Sequence, residues 1–156
     1  MGVNYYVGYM KRSAPSTQKA IQTINEWKAS GEFGKLAYIR SVMPPGNWTY
    51  EIEGPISAGD NPIAYENEPL ESLPDWLDAP TQDMYNAFVN FFIHQVNLLR
   101  YLSGEDYHIK WVDSSSAVLT ATTDSGVPIT LEMQTYGQAH EWEETYRLVF
   151  ERGKID

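Results

Sequence analysis

The longest uninterrupted pattern in the chain is TQDMYNAFVNFFIHQVNLLRYLSG, Thr81 to Gly104, which contains no Pro and no internal Gly. At about 100° per residue, Tyr85, Phe88, Val89, Phe91, Phe92, Ile93, Val96, Leu98, Leu99 and Leu102 wrap most of a helix. An all-round apolar helix belongs in a core. A polar strip interrupts it: Asn86, Asn90, His94, Asn97 and Tyr101 fall at roughly 0°, 40°, 80°, 20° and 60° by the same arithmetic. Buried without partners, such groups cost on the order of 1–3 kcal/mol each. The strip therefore faces either tertiary hydrogen-bonding partners or a polar cavity. In the second case His94 and Asn90 line a ligand site.

Upstream, NYYVGYM (Asn4 to Met10) has the Tyr and Val content of a strand. A helix follows, with Ser13 or Ser16 as N-cap, Pro15 in the first turn and Gly31 at the C-terminus. Its apolar face is Ala20, Ile21, Ile24 and Trp27. Lys11 and Arg12 lie at the strand-to-helix junction, either as solvated cations or as groups directed at a substrate. Gly34 to Met43 reads as a second strand, covered on both faces at least in part. Residues 44–80 are dense in Pro, Gly, Asn and acids, and read as an ordered excursion with short turns.

After the long helix come four strand patterns: Tyr107 to Asp113, Ala117 to Thr122, Val127 to Gln134 and Trp142 to Phe150. The Asp124-Ser125-Gly126 turn joins the second to the third. A further strand starts near Ile155, past a turn at Gly153. Consecutive strands with short turns predict an antiparallel meander. The fold class is thus α+β, a predominantly antiparallel sheet with helices packed on one face.

The net charge is −10 and the basic residues are scattered. Nucleic acid and anionic membrane surfaces are poor partners for such a chain. There is no Cys, hence no thiolate nucleophile or zinc–thiolate site. His94, His108 and His140 have no metal-binding spacing, so no metal is expected. Asp106 and His108 at a strand start, like His140, read as surface residues. No glycine-rich phosphate turn and no G-x-S-x-G elbow occurs. The N-terminus lacks a signal-peptide core and no apolar run is long enough to cross a bilayer, so the expected location is cytoplasmic.

Three blocks carry a family likeness: Val7 to Pro15 (VGYMKRSAP), Gly31-Glu32-Phe33-Gly34-Lys35-Leu36, and His94 to Glu105 (HQVNLLRYLSGE). In this order they resemble the C-terminal domain of the glucose–fructose oxidoreductase / inositol dehydrogenase (Gfo/Idh/MocA) family. The terminal ERGKID is similar to that family's last turn into a strand.

The resemblance implies that residues 1–156 are a single substrate-binding and oligomerisation domain, cut from a longer NAD(P)-dependent dehydrogenase. The Rossmann domain is absent here. The parent's NAD or NADP would be bound mainly by that missing part, with no cofactor expected on this chain alone. The implied substrate is a sugar, polyol or related hydroxy compound. His94 matches the family's acid–base histidine, but Asn90 stands where a carboxylate is usual, and Asn cannot hold the charge that raises His basicity. Asn90, Lys11, Arg12, Asn97 and Asn86 are the implied substrate-binding residues. A homo-oligomer through the open face of the sheet is expected. A non-catalytic relative, serving as a binding or assembly module, is the alternative that Asn90 keeps open.

Overall fold

The computed structural model describes residues 4, 8–43, 73, 75–115, 118–133 and 143–156. Among these residues, six strands form one sheet in the order β2-β3-β4-β1-β5-β6. They are β1 (Leu36–Val42), β2 (Tyr107–Val112), β3 (Val118–Thr123), β4 (Pro128–Glu132), β5 (Thr145–Phe150) and β6 (Gly153–Ile155). Two helical runs cover one face, as an α+β fold requires.

The first run is α1 (Pro15–Ser30). It starts where Pro15 removes an amide that had no partner to lose. Its N-cap is Ala14, with no side-chain cap, so neither Ser13 nor Ser16 serves as expected. Gly31 ends it at φ 67, a left-handed conformation that favours glycine. Ile24 is buried, and Ala20, Ile21 and Trp27 pack beside it. Trp27 stacks on Phe33 with centroids 3.8 Å apart and meets Phe150 edge-on.

The segment before α1 is not the expected strand at its end: Met10–Ser13 form a 3₁₀ turn. Residues 5–7 of that expectation lie outside the described residues, as do most of the 44–80 excursion, Ala117, and 134–142 with His140 and Trp142.

The second run spans Ala79–Ser103, beginning two residues earlier than the pattern suggested. Asp78 caps it, its carboxylate accepting the Thr81 amide at 3.0 Å. Gly104 at φ 75 closes it. The run is not one regular helix. It is α2 (Ala79–Ala87), a π turn (Phe88–Phe92) and α3 (Ile93–Ser103). A π turn carries an extra residue, so faces before it rotate relative to faces after it. The expectation that the whole run is core fails for this reason among others. Met84, Tyr85, Val89 and Phe91 are exposed, while burial concentrates in Gln95, Leu98, Leu99, Leu102 and Ser103 of α3.

In the sheet, alternate residues face the helices: Ile39, Ala121, Ile129, Leu131, Leu148 and Phe150 are all buried there. Strands β2, β3 and β4 form the expected meander, with Gly126 at φ 94 in the β3–β4 turn. The meander stops at β4. Strand β5 pairs with β1 rather than with β4, and β1 runs parallel to β4. Side-chain alternation selects the face each strand presents, but not its neighbour, and the first strand takes the central slot.

Candidate functional site

The 3₁₀ turn rests on α3, and two cations tie it down. Arg12 Nε donates to Asn97 Oδ1 at 2.5 Å, and its guanidinium lies 5.0 Å from the Tyr101 ring and 5.9 Å from the Tyr9 ring. Tyr101 also accepts from Gln18 Nε2 at 3.3 Å. Tyr9 in turn meets the His94 imidazole edge-on, centroids 6.4 Å apart. So His94, Asn97, Tyr101 and Arg12 form one continuous cluster around Tyr9.

The His94 side chain is half-buried, and its Nδ1 is buried with no hydrogen-bond partner among the described residues. Buried imidazole nitrogens are normally paired. His94 Nδ1 is thus a polar atom that its surroundings leave unsatisfied, as are the buried Ser41 Oγ and Gln95 Oε1.

Lys11 lies on the other side of the turn. Its ammonium pairs with the Glu144 carboxylate, and both side chains are largely shielded. Glu144 also accepts from Gln95 Nε2 at 3.0 Å and from the Tyr146 hydroxyl at 3.0 Å. Burial pushes the Glu144 carboxyl up, but the Lys11 and Gln95 hydrogen bonds outweigh it and hold it below the usual range. Burial, with the Glu144 charge and hydrogen bond behind it, drives the Tyr146 phenol far above its ordinary value. A cavity of about 580 Å³ opens beside this group, lined by Glu144, Tyr146, Thr17 and Leu98 among others.

Among the residues expected from the sequence, Lys11, Arg12, His94 and Asn97 come together around the 3₁₀ turn. Asn86 and Asn90 do not join them. Both are exposed, ahead of or inside the π turn, and make no side-chain hydrogen bond with the described residues. Asp106 and His108 are surface groups, paired with Arg100 and Asp124 respectively. Sequence reasoning passed over Tyr9, Gln95, Glu144 and Tyr146. Gln95 carried a readable signal. It shares the stripe of Leu98, Leu99 and Leu102 at i+3, i+4 and i+7, so a polar group was bound to be buried there.

No group of His, Cys, Asp or Glu able to hold a metal ion occurs among the described residues. Nor do the described residues fit a dinucleotide. Among the described residues, the positive-φ glycines are Gly31, Gly34, Gly104 and Gly126. Gly31 and Gly104 end helices, where the dipole is negative, and Asp78 puts a carboxylate at the start of α2. No described helix is long and apolar enough to cross a membrane.

No family model and no curated protein sequence matches the chain. Solved structures do. One is the myo-inositol dehydrogenase of Lactobacillus casei in complex with NAD(H) and myo-inositol, at TM-score 0.59 and 16% identity over 96% of this chain and 38% of that one. Another is scyllo-inositol dehydrogenase from Lactobacillus casei with bound NAD(H) and scyllo-inositol, at TM-score 0.57 and 13% identity over 96% of this chain and 40% of that one. A probable dehydrogenase from Thermotoga maritima matches at TM-score 0.53 and 14% identity, with coverage of 96% and 40%. The chain therefore spans about two fifths of the length of these proteins, and at such identities the likeness is one of fold. It has the α+β fold of the C-terminal part, about 40%, of the inositol dehydrogenases of the Gfo/Idh/MocA family.

Proposed function

We propose that residues 1–156 are the substrate-binding and oligomerisation domain of an NAD(P)-dependent dehydrogenase acting on a sugar, polyol or related hydroxy compound. The nicotinamide cofactor belongs to a domain outside this sequence, and the parent works in the cytoplasm. The reading is supported by the shared fold with inositol dehydrogenases solved with NAD(H) and inositols. The observation that carries it is His94, with a buried, unpartnered Nδ1 on a helix whose polar side meets the Arg12 guanidinium at Asn97.

In this reading His94 takes the proton from the substrate hydroxyl and returns it in the reverse direction, as a general base and acid. The Asn97 amide, already tied to Arg12, offers its remaining donors to a neighbouring hydroxyl, whereas Asn86 and Asn90 lie apart from the cluster. Arg12 supplies positive charge beside the developing alkoxide, while Lys11, paired with Glu144, holds the turn that carries Arg12. Because both are already held by Glu144 and Asn97, they act as fixed rather than searching groups, and fixed groups lose less entropy on binding. In the parent enzyme, His94→Ala lowers turnover by about 10²–10⁴, the range of general acid–base catalysis. Steady-state assays over a polyol panel with NAD and NADP measure this, and full activity in the variant removes His94 from the mechanism.

Asn90 favours a second reading, that of a non-catalytic binding or assembly module. An exposed amide provides no charge to raise the basicity of His94. Turnover by the unmodified parent in the same panel rejects it. In either reading the sheet face away from the helices, with exposed Trp111 and the half-buried Thr120, Thr130 and Tyr38, serves homo-oligomerisation.

A further inference from the structure

The geometry points to Glu144 as a positioning residue: its carboxylate, shared among Lys11, Gln95 and Tyr146, fixes the 3₁₀ turn and α3 against each other and so sets the orientation of the His94 imidazole. The significance of this for turnover rests on the function proposed above. The positioning itself does not.

Glu144 lies just ahead of β5 and reaches three separate parts of the chain. It binds Lys11 on the 3₁₀ turn, Gln95 on α3 and Tyr146 on β5. Gln95 is fully buried and immediately follows His94, so its side chain and that of His94 share one backbone segment. The amide orientation of Gln95 is dictated by the carboxylate, because only the NH₂ end can face it. On the other branch, Lys11 is two residues from Tyr9, whose ring packs on the His94 imidazole. The carboxylate thus acts on His94 by two routes, one along α3 and one through the turn and Tyr9. Both routes depend on its charge. Charge-assisted hydrogen bonds are about twice as strong as neutral ones, and a neutral amide at position 144 cannot satisfy an ammonium and two further donors.

The 3₁₀ turn contains its own reporters. The Arg12 amide donates to the Tyr9 carbonyl at 3.1 Å and the Ala14 amide to the Lys11 carbonyl at 3.3 Å. Both bonds lie within the turn, which has few residues of its own to hold it folded, so their hydrogen exchange reads how far docking on α3 stabilises it.

The test is NMR on this chain, without ligand, comparing the wild type with Glu144→Gln, Glu144→Asp and Lys11→Met. Exchange of the Arg12 and Ala14 amides is expected to rise about tenfold in Glu144→Gln, the size of one charge-assisted hydrogen bond, while core amides such as that of Leu131 keep their protection. The His94 ring signals should move in the same variant and return toward the wild-type position in Glu144→Asp. Lys11→Met should loosen the turn and shift the ring as well, through one route only. If Glu144→Gln fails to fold, Lys11→Met decides the matter alone. Unchanged exchange at Arg12 and Ala14 together with unchanged His94 signals, in whichever variant folds, overturns the proposal. A shifted ring in a protein whose parent shows no turnover leaves the positioning intact and defeats the function proposed above.

Discussion

The orphaned nitrogen of His94 makes a prediction opposite in sign to that for most buried substitutions. Replacing His94 by Leu removes a polar atom that is buried without a partner. Leaving such an atom unsatisfied costs on the order of 1–3 kcal/mol. The replacement also forfeits the edge-on contact with Tyr9, worth about 0.5–1.5 kcal/mol for an aromatic pair. The difference leaves His94→Leu more stable by about 1 kcal/mol. For a domain of this length that corresponds to a rise of roughly 2–4 °C in Tm. Urea unfolding followed by Trp fluorescence reads the same change as a higher midpoint at an unchanged slope. His108→Leu is the control. That imidazole is exposed and pairs with Asp124 at 3.0 Å, so its loss falls within about ±0.5 kcal/mol. A drop in stability of more than about 1 kcal/mol for His94→Leu means that the folded protein satisfies Nδ1. The premise of the site is then wrong. A gain of stability accompanied by loss of turnover in the parent is the mark of a residue kept for function at the expense of the fold.

Acid should weaken the protein through Glu144, whose carboxyl is held below its usual range chiefly by Lys11 and Gln95 against the opposing effect of burial. A depressed carboxyl contributes stability above its unfolded value, about 4.3 for Glu, and that contribution disappears as pH falls through the lower folded value. Urea midpoints measured downward from pH 5 should fall less steeply for Glu144→Gln than for the wild type, and parallel curves count against the pairing. On the open face of the sheet, Thr120→Lys should convert an oligomer to a monomer in sedimentation velocity, since Thr120 sits between Trp111 and Thr130. A wild type that sediments as a monomer removes that role from the sheet.

Much of the architecture was legible because it depends on local rules. Pro15 and Gly31 bracket α1, Gly104 closes α3, and the Asp124–Gly126 turn joins β3 to β4, each from the backbone preference of one residue. The alternation in β5, with Leu148 and Phe150 inward, follows from the period of a strand. The long helical run was also visible, but its internal phase was not. A constant 100° per residue placed Asn86 and Asn90 beside His94, and the π turn at Phe88–Phe92 breaks that constancy.

What the sequence by itself determined is therefore the α+β class and most of the elements, though not the 3₁₀ turn at Met10–Ser13 or the π turn at Phe88–Phe92. Only the tertiary structure decided which strands are neighbours, because pairing β1 with β4 and β5 joins segments separated by some ninety residues or more, beyond the reach of any local preference. It likewise decided the company of Lys11. Glu144 lies 133 positions away along the chain, and nothing in either residue's neighbourhood names the other. Their attraction acts through space once the chain has buried both, where weak screening gives a single carboxylate hold over three elements at once.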